Sequence, residues 1–168
     1  MSSKQKVVTT SVQFDESNPN LVLVALGDIH HGHINTDYNL LKRDIATIAR
    51  NPRWVVVLMG DLIQAWSLKH RLYNPSHHAP YLHGKTGVIR HQAKALVNDL
   101  KPIKKQIIGV LSGNHETTCH DEDDVNVYQD ILDDLDLNDK ALGSAGFLSI
   151  QHMTQFANSK GQGGRFNI

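Results

Sequence analysis

The chain has 168 residues, enough for one domain with a core of its own. Its composition, 40% hydrophobic and 20% charged, is that of an ordinary globular protein and excludes a disordered or fibrous one. Seventeen basic residues balance seventeen acidic ones, so the overall charge points to no class of partner. No apolar run approaches the roughly 20 residues of a membrane span. The single cysteine, Cys119, allows no intramolecular disulfide and fits a reducing cytosol. The first residues, MSSKQKVVTT, lack the apolar core of a signal peptide, so a cytoplasmic location is expected. Histidine is the outlier, with eleven copies.

In chain order, residues 7–14 predict an N-terminal strand. Residues 21–27 (LVLVALG) form an apolar run that ends at Asp28. Leu41, Ile45 and Ile48 recur at helical spacing, and Pro52 stops that helix. A second apolar run, 54–60 (WVVVLMG), ends at Asp61. Residues 64–87 read as a loop. Ile89, Ala93, Leu96 and Leu100 predict a second helix, with Thr86 as its cap and Pro102 just beyond its end. A third run, 107–113 (IIGVLSG), ends at Asn114. A helix over 123–135 follows, with Val125, Tyr128, Ile131, Leu132 and Leu135 facing inward. Residues 146–150 (GFLSI) open a second set of strands, and residues 157–164 (ANSKGQGG) read as a loop. Short, continuous, β-branched runs are the mark of parallel strands buried on both faces. The expected class is therefore α/β, a largely parallel βαβαβ sheet flanked by helices in a single domain over 1–168.

Ligands of such sheets bind beyond the carboxyl ends of the strands. Here those ends carry GDIH (27–30), GD (60–61) and GNHE (113–116). Carboxylate and amide oxygens suit hard divalent cations, and imidazole adds affinity for manganese, iron or zinc. Asp28 and His30 stand two residues apart and can reach one point. Asp61 has two oxygens, enough to bridge two ions. Asn114 adds a neutral oxygen. Three such steps in order, each after an apolar strand, resemble the calcineurin-like metallophosphoesterase family, over roughly residues 20–150. The resemblance implies a metallophosphoesterase-like sandwich and a centre of two divalent metal ions. It implies that Asp28 and His30 bind the first metal, that Asp61 bridges both and that Asn114 binds the second. It gives His115 a catalytic role, contacting the phosphate and protonating the leaving oxygen. The implied activity is hydrolysis of a phosphomonoester or phosphodiester. Two nearby cations lower the pKa of a bridging water and clamp phosphate oxygens for in-line attack.

The family pattern is incomplete. A His-Gly step and a Gly-His-x-His step should follow and do not. After Glu116 only His120 and His152 remain, and His152 lies in SIQHMTQF, an alternating strand with no glycine after it. The chain is therefore expected to be truncated before the last strands, and a C-terminal complementing segment or chain is an expected partner. The alternatives are a non-catalytic or degenerate binding protein of this fold, or the first half of a split enzyme. A zinc hydrolase reading of HHGH fails because Ile34 and Asn35, not an Asp-His pair, follow His33. No glycine fingerprint for a dinucleotide follows the first strand.

His31 and His33 lie outside the D-x-H step and are read as rim or surface residues. Glu116 stands open between orienting the loop from behind and being solvated. Between Asp61 and Asp99 there is no acid, while Lys69, Arg71, Lys85, Arg90 and Lys94 accompany five histidines. Trp66, Tyr73 and Tyr81 lie in the same stretch. A basic, ring-bearing loop beside a phosphate site suits nucleic acid. The opposite bias follows: ten acids and no Lys or Arg between Glu116 and Asp139, read as a solvated helix face.

Overall fold

The computed structural model describes residues 6–14, 20–66, 68–123, 125–154 and 163–167. The three apolar runs form strands β2 (Val22–Leu26), β3 (Trp54–Leu58) and β4 (Ile107–Leu111), after the N-terminal strand β1 (Lys6–Phe14). With β5 (Ala141–Gly143) they make a four-stranded, all-parallel sheet in the order β2-β3-β4-β5. Each crossover is helical: α1 (Tyr38–Ala49), α2 (Val88–Leu100), and then α3 (Asn114–Asp123) with α4 (Val127–Leu135). The chain is thus α/β, as its pattern of runs predicts.

The strand side chains divide by parity, as a pleated sheet requires. Val56 and Leu58 of β3 enter one core with Leu41, Ile45 and Ile48 of α1, Leu96 and Leu100 of α2, and Ile131 and Leu135 of α4. Val55 and Val57 enter a second core on the opposite face, with Val8 of β1, Leu142 of β5, and Leu148 and Ile150. The last two belong to β6 (Gly146–Thr154), which pairs in parallel with β1 and antiparallel with β7 (Gly163–Asn167). One face of the parallel sheet is therefore covered by helices and the other by a second sheet. In β4 the alternation slips, with Ile107 and Val110 on the helical side and Ile108 and Leu111 opposite. The β3–β4 pairing shifts register where Ile107 pairs Val56 and Gly109 pairs Val57.

Several expectations change. The 21–27 run is not buried on both faces: β2 is an edge strand whose Val22 and Leu23 are exposed. The helix expected over 123–135 begins at Val127, where the Asn126 side chain accepts from the Gln129 N–H. A separate helix, α3, fills 114–123. The cap of α2 is Gly87, in a left-handed conformation and without a side-chain hydrogen bond, not Thr86. The loop expected over 157–164 falls on 157–162, outside the described residues, and on the first two residues of β7. Among the described residues no helix is long and apolar enough to cross a membrane.

Candidate metal centre

Beyond the sheet, the β2 and β3 ends run on side by side. The Asp28 N–H donates to the Gly60 carbonyl at 3.1 Å, that of His30 to Asp61 at 3.0 Å and that of His31 to Leu62 at 3.0 Å. The Gln64 N–H closes the ladder on the His31 carbonyl at 3.0 Å. The strands thus continue past their nominal ends, but with sharp local kinks. Asp28, His30 and Asp61 have φ of 50°, 46° and 48°, and Ala65 has 50°. A side chain in the left-handed region costs about 1–2 kcal/mol per residue. Among the described residues Asp136, at the end of α4, is the fifth non-glycine with positive φ. Such strain persists where the surroundings enforce it, and it clusters at functional sites.

The kinks bring donors together. Asp28, His30 and Asp61 offer ligand atoms within 4.8 Å of one another, the group of His, Cys, Asp and Glu among the described residues that could hold a cation. His30 Nε2 faces Asp28 Oδ1 at 3.8 Å, too far for a hydrogen bond. Two donors each about 2.1 Å from one ion lie at most about 4.2 Å apart, so this pair fits a shared transition-metal ion. His30 Nδ1 is buried without a hydrogen-bond partner. A mixed set of two carboxylates and an imidazole suits manganese, iron or zinc better than magnesium or calcium.

The third strand end locks onto the second. Gly113 stands before α3 and supplies no capping side chain. Asp61 Oδ1 takes that place, accepting from the His115 N–H at 3.0 Å. Glu116, three residues after Gly113, reaches back to the Gly113 N–H at 2.8 Å, which is half of a capping box. The same carboxylate accepts from Asp61, Leu62 and Ile63 at 3.1, 2.8 and 3.2 Å. Glu116 is 1% exposed. It is therefore the buried clasp that sets the β3 loop against the β4 loop, which resolves the alternative its position in the sequence left open. Close approach explains two glycines. A Cβ on Gly113 would run into the Asp61 amide and carboxylate, and one on Gly60, whose φ is 84°, into Gly113.

Asn114 opens α3 next to His115. The His115 Nδ1 lies 2.6 Å from the Gln64 carbonyl, which can only accept, so Nδ1 carries the hydrogen. Nε2 is the ring nitrogen outside that hydrogen bond. The His115 ring meets His30 edge to face at 4.5 Å between centroids and lies parallel to Trp66 at 6.1 Å. Trp66 in turn stacks on His70 at 5.3 Å, with 9° between planes. An open cleft of about 380 Å³ spans Asp28, His30, His33, Asp37, Trp66 and His115.

His31 is not a rim residue. It is 2% exposed, with Nδ1 2.9 Å from the Tyr81 hydroxyl and Nε2 3.2 Å from Asp99 Oδ2. Burial holds its pKa below the ordinary 6.5, against the opposing pull of Asp99. His33 does stay at the rim and lines the cleft, its pKa lowered by partial burial and then by neighbouring histidines, His77 first. Gln92, fully buried on α2, accepts from the Ala65 N–H at 2.9 Å and holds the kink before Trp66. Nothing in the local sequence pattern of Gln92 marks this role. His152 lies on β6, and its side chain is outside the described residues.

No protein-family model, no curated protein and no solved structure matches this chain.

Proposed function

We propose that the chain is a metal-dependent phosphoester hydrolase of the calcineurin-like type, built on the corresponding sandwich of helices and two sheets. The observation that carries the reading is the convergence of Asp28, His30 and Asp61, each in strained left-handed backbone, at the ends of adjacent parallel strands. Asp28 and His30 would hold the first ion, Asp61 both, and Asn114 the second. Divalent ions so held would supply Lewis-acid stabilisation of the phosphate and a water of lowered pKa. The remaining work falls to the chain. As the imidazolium, His115 donates its Nε2 proton to the leaving oxygen as the P–O bond breaks, and it is left as the Nδ1–H tautomer that the Gln64 carbonyl favours. Trp66 lies near-parallel to the His115 ring, at 6.1 Å between centroids.

A binding role without turnover is the second reading. It rests on the donor count, three side chains for the first ion and two, Asp61 and Asn114, for the second. One experiment separates the readings: metal content after dialysis against manganese, with hydrolysis of bis(p-nitrophenyl) phosphate measured on the same samples. Asp61→Asn is expected to lose both. His115→Ala is expected to keep its metal while turnover falls roughly 10²–10⁴-fold. Loss of metal in His115→Ala would remove its role as the acid. Bound metal without turnover in the wild type would leave the binding reading.

A further inference from the structure

Two clefts meet at His115 and Trp66, and they differ in charge. The larger one carries the Asp28 and Asp37 carboxylates. The smaller one, about 170 Å³, is lined by Arg71, His70, Asn114 and Thr118 as well as the shared pair, and no carboxylate lies among its lining residues. Arg71 is its one permanent cation. It is exposed and makes no ion pair among the described residues. An arginine without a carboxylate partner, in a cleft without acids, attracts anions. Its planar fork matches a phosphate in a way a point charge does not.

The wall between the clefts is aromatic. His70, Trp66 and His115 lie in near-parallel planes, at 5.3 and 6.1 Å between successive centroids. A group in the smaller cleft therefore touches the edge of a ring stack on one side and Arg71 on the other. An isolated phosphomonoester at the metal side would leave this cleft empty. A substrate that fills both clefts carries phosphates on both sides of the bond that is cut, and a polynucleotide does so at every linkage.

We propose that the smaller cleft is a subsite for the leaving-group side of a single-stranded polynucleotide, in which Arg71 holds the phosphate next to the scissile one. The Trp66–His70 pair is the surface against which the intervening sugar and base lie. The proposal deepens the phosphoesterase reading and rests on it for the position of the scissile bond.

The test is binding of a fluorescent phosphorothioate oligothymidylate, which resists cleavage, to the manganese-loaded protein. Fluorescence anisotropy is followed over a series of salt concentrations. Arg71→Ala is expected to weaken binding about tenfold and to lower the salt slope by about 0.7, the value for one phosphate contact on a single strand. Arg71→Lys is expected to keep the slope and to lose part of the affinity. Absence of strand binding in the wild type, or a change below about twofold in Arg71→Ala, would overturn the proposal. So would ADP that competes as tightly as the strand and depends equally on Arg71, since the subsite would then serve free nucleotides. Hydrolysis of bis(p-nitrophenyl) phosphate by the wild type is read in parallel. If it fails while strand binding depends on Arg71, the phosphoesterase reading falls and the nucleic-acid contact stands.

Discussion

Glu116 ties two loops together through four backbone N–H groups, from Asp61, Leu62, Ile63 and Gly113. Each buried amide left without an acceptor costs about 1–3 kcal/mol. Glu116→Ala is therefore expected to lower unfolding free energy by several kcal/mol in urea titration and to abolish metal binding with it. Its sequence position left this role open because three of the four partners lie more than fifty residues away in the chain. The place of His31 is hidden in the sequence for a related reason. After left-handed residues the alternation of a strand no longer says where a side chain points, and here it points into the interior toward Asp99 and Tyr81. The burial has a pH consequence. The folded pKa of His31 lies below the ordinary 6.5, so the neutral form is preferred on folding. Its stabilising effect is full above 6.5 and is lost as pH falls toward and through the folded value. His33 and His78 shift in the same direction. The urea midpoint of the chelated protein is expected to fall on acidification from neutral pH, and His31→Gln to flatten that fall.

At the scale of elements, the strands were the most legible part. Three apolar runs ending in glycine and a polar residue form β2, β3 and β4; continuous burial accounts for the unbroken runs of β3 and β4, while the edge strand β2 carries the same pattern with Val22 and Leu23 exposed. Helices α1 and α2 showed their buried faces at the expected spacing, with Leu41, Ile45 and Ile48 on the first and Ala93, Leu96 and Leu100 on the second. Helix α3 was invisible for a physical reason: NHETTCHDED has no apolar stripe, and Cys119 is its buried apolar residue. It forms because the Gly113 N–H and the His115 N–H find acceptors in Glu116 and Asp61, not because of its own pattern. Helix α4 starts four residues after α3 ends, and its beginning depends on Asn126. The Asn126 side chain accepts from the Gln129 N–H at 3.1 Å. Asn126→Ala is expected to cost about 1 kcal/mol in chemical denaturation, with metal binding unchanged. Another long-range tie was equally hidden. Gln106 Nε2 lies within 3.0 Å of the carbonyls of Ile48, Asn51 and Trp54, and so fixes the end of α1 and the start of β3 to the turn before β4.

The whole molecule has two cores back to back across one parallel sheet. The helical core carries the site loops; the inter-sheet core does not. Leu148, 4% exposed on β6, packs in the latter with Val8, Val57 and Ile108. Leu148→Ala is expected to lower stability by about 2–5 kcal/mol, while the metal affinity of the folded fraction is retained. Equal loss of affinity would mean that the second sheet also shapes the site. On the other side of the molecule the three site loops are stacked at backbone distance. A Cβ on Gly27 would stand 2.6 Å from that of Met59, and those on Gly60 and Gly113 would enter the next loop in turn. The consequence is one of mutational history. A side chain gained at residue 27, 60 or 113 has no room unless the neighbouring loop withdraws, and withdrawal separates Asp28, Asp61 and Asn114. Substitution at these three glycines is accordingly expected to cost metal affinity, whereas substitution at the rim, at His33 or Arg71, leaves the stack of loops untouched.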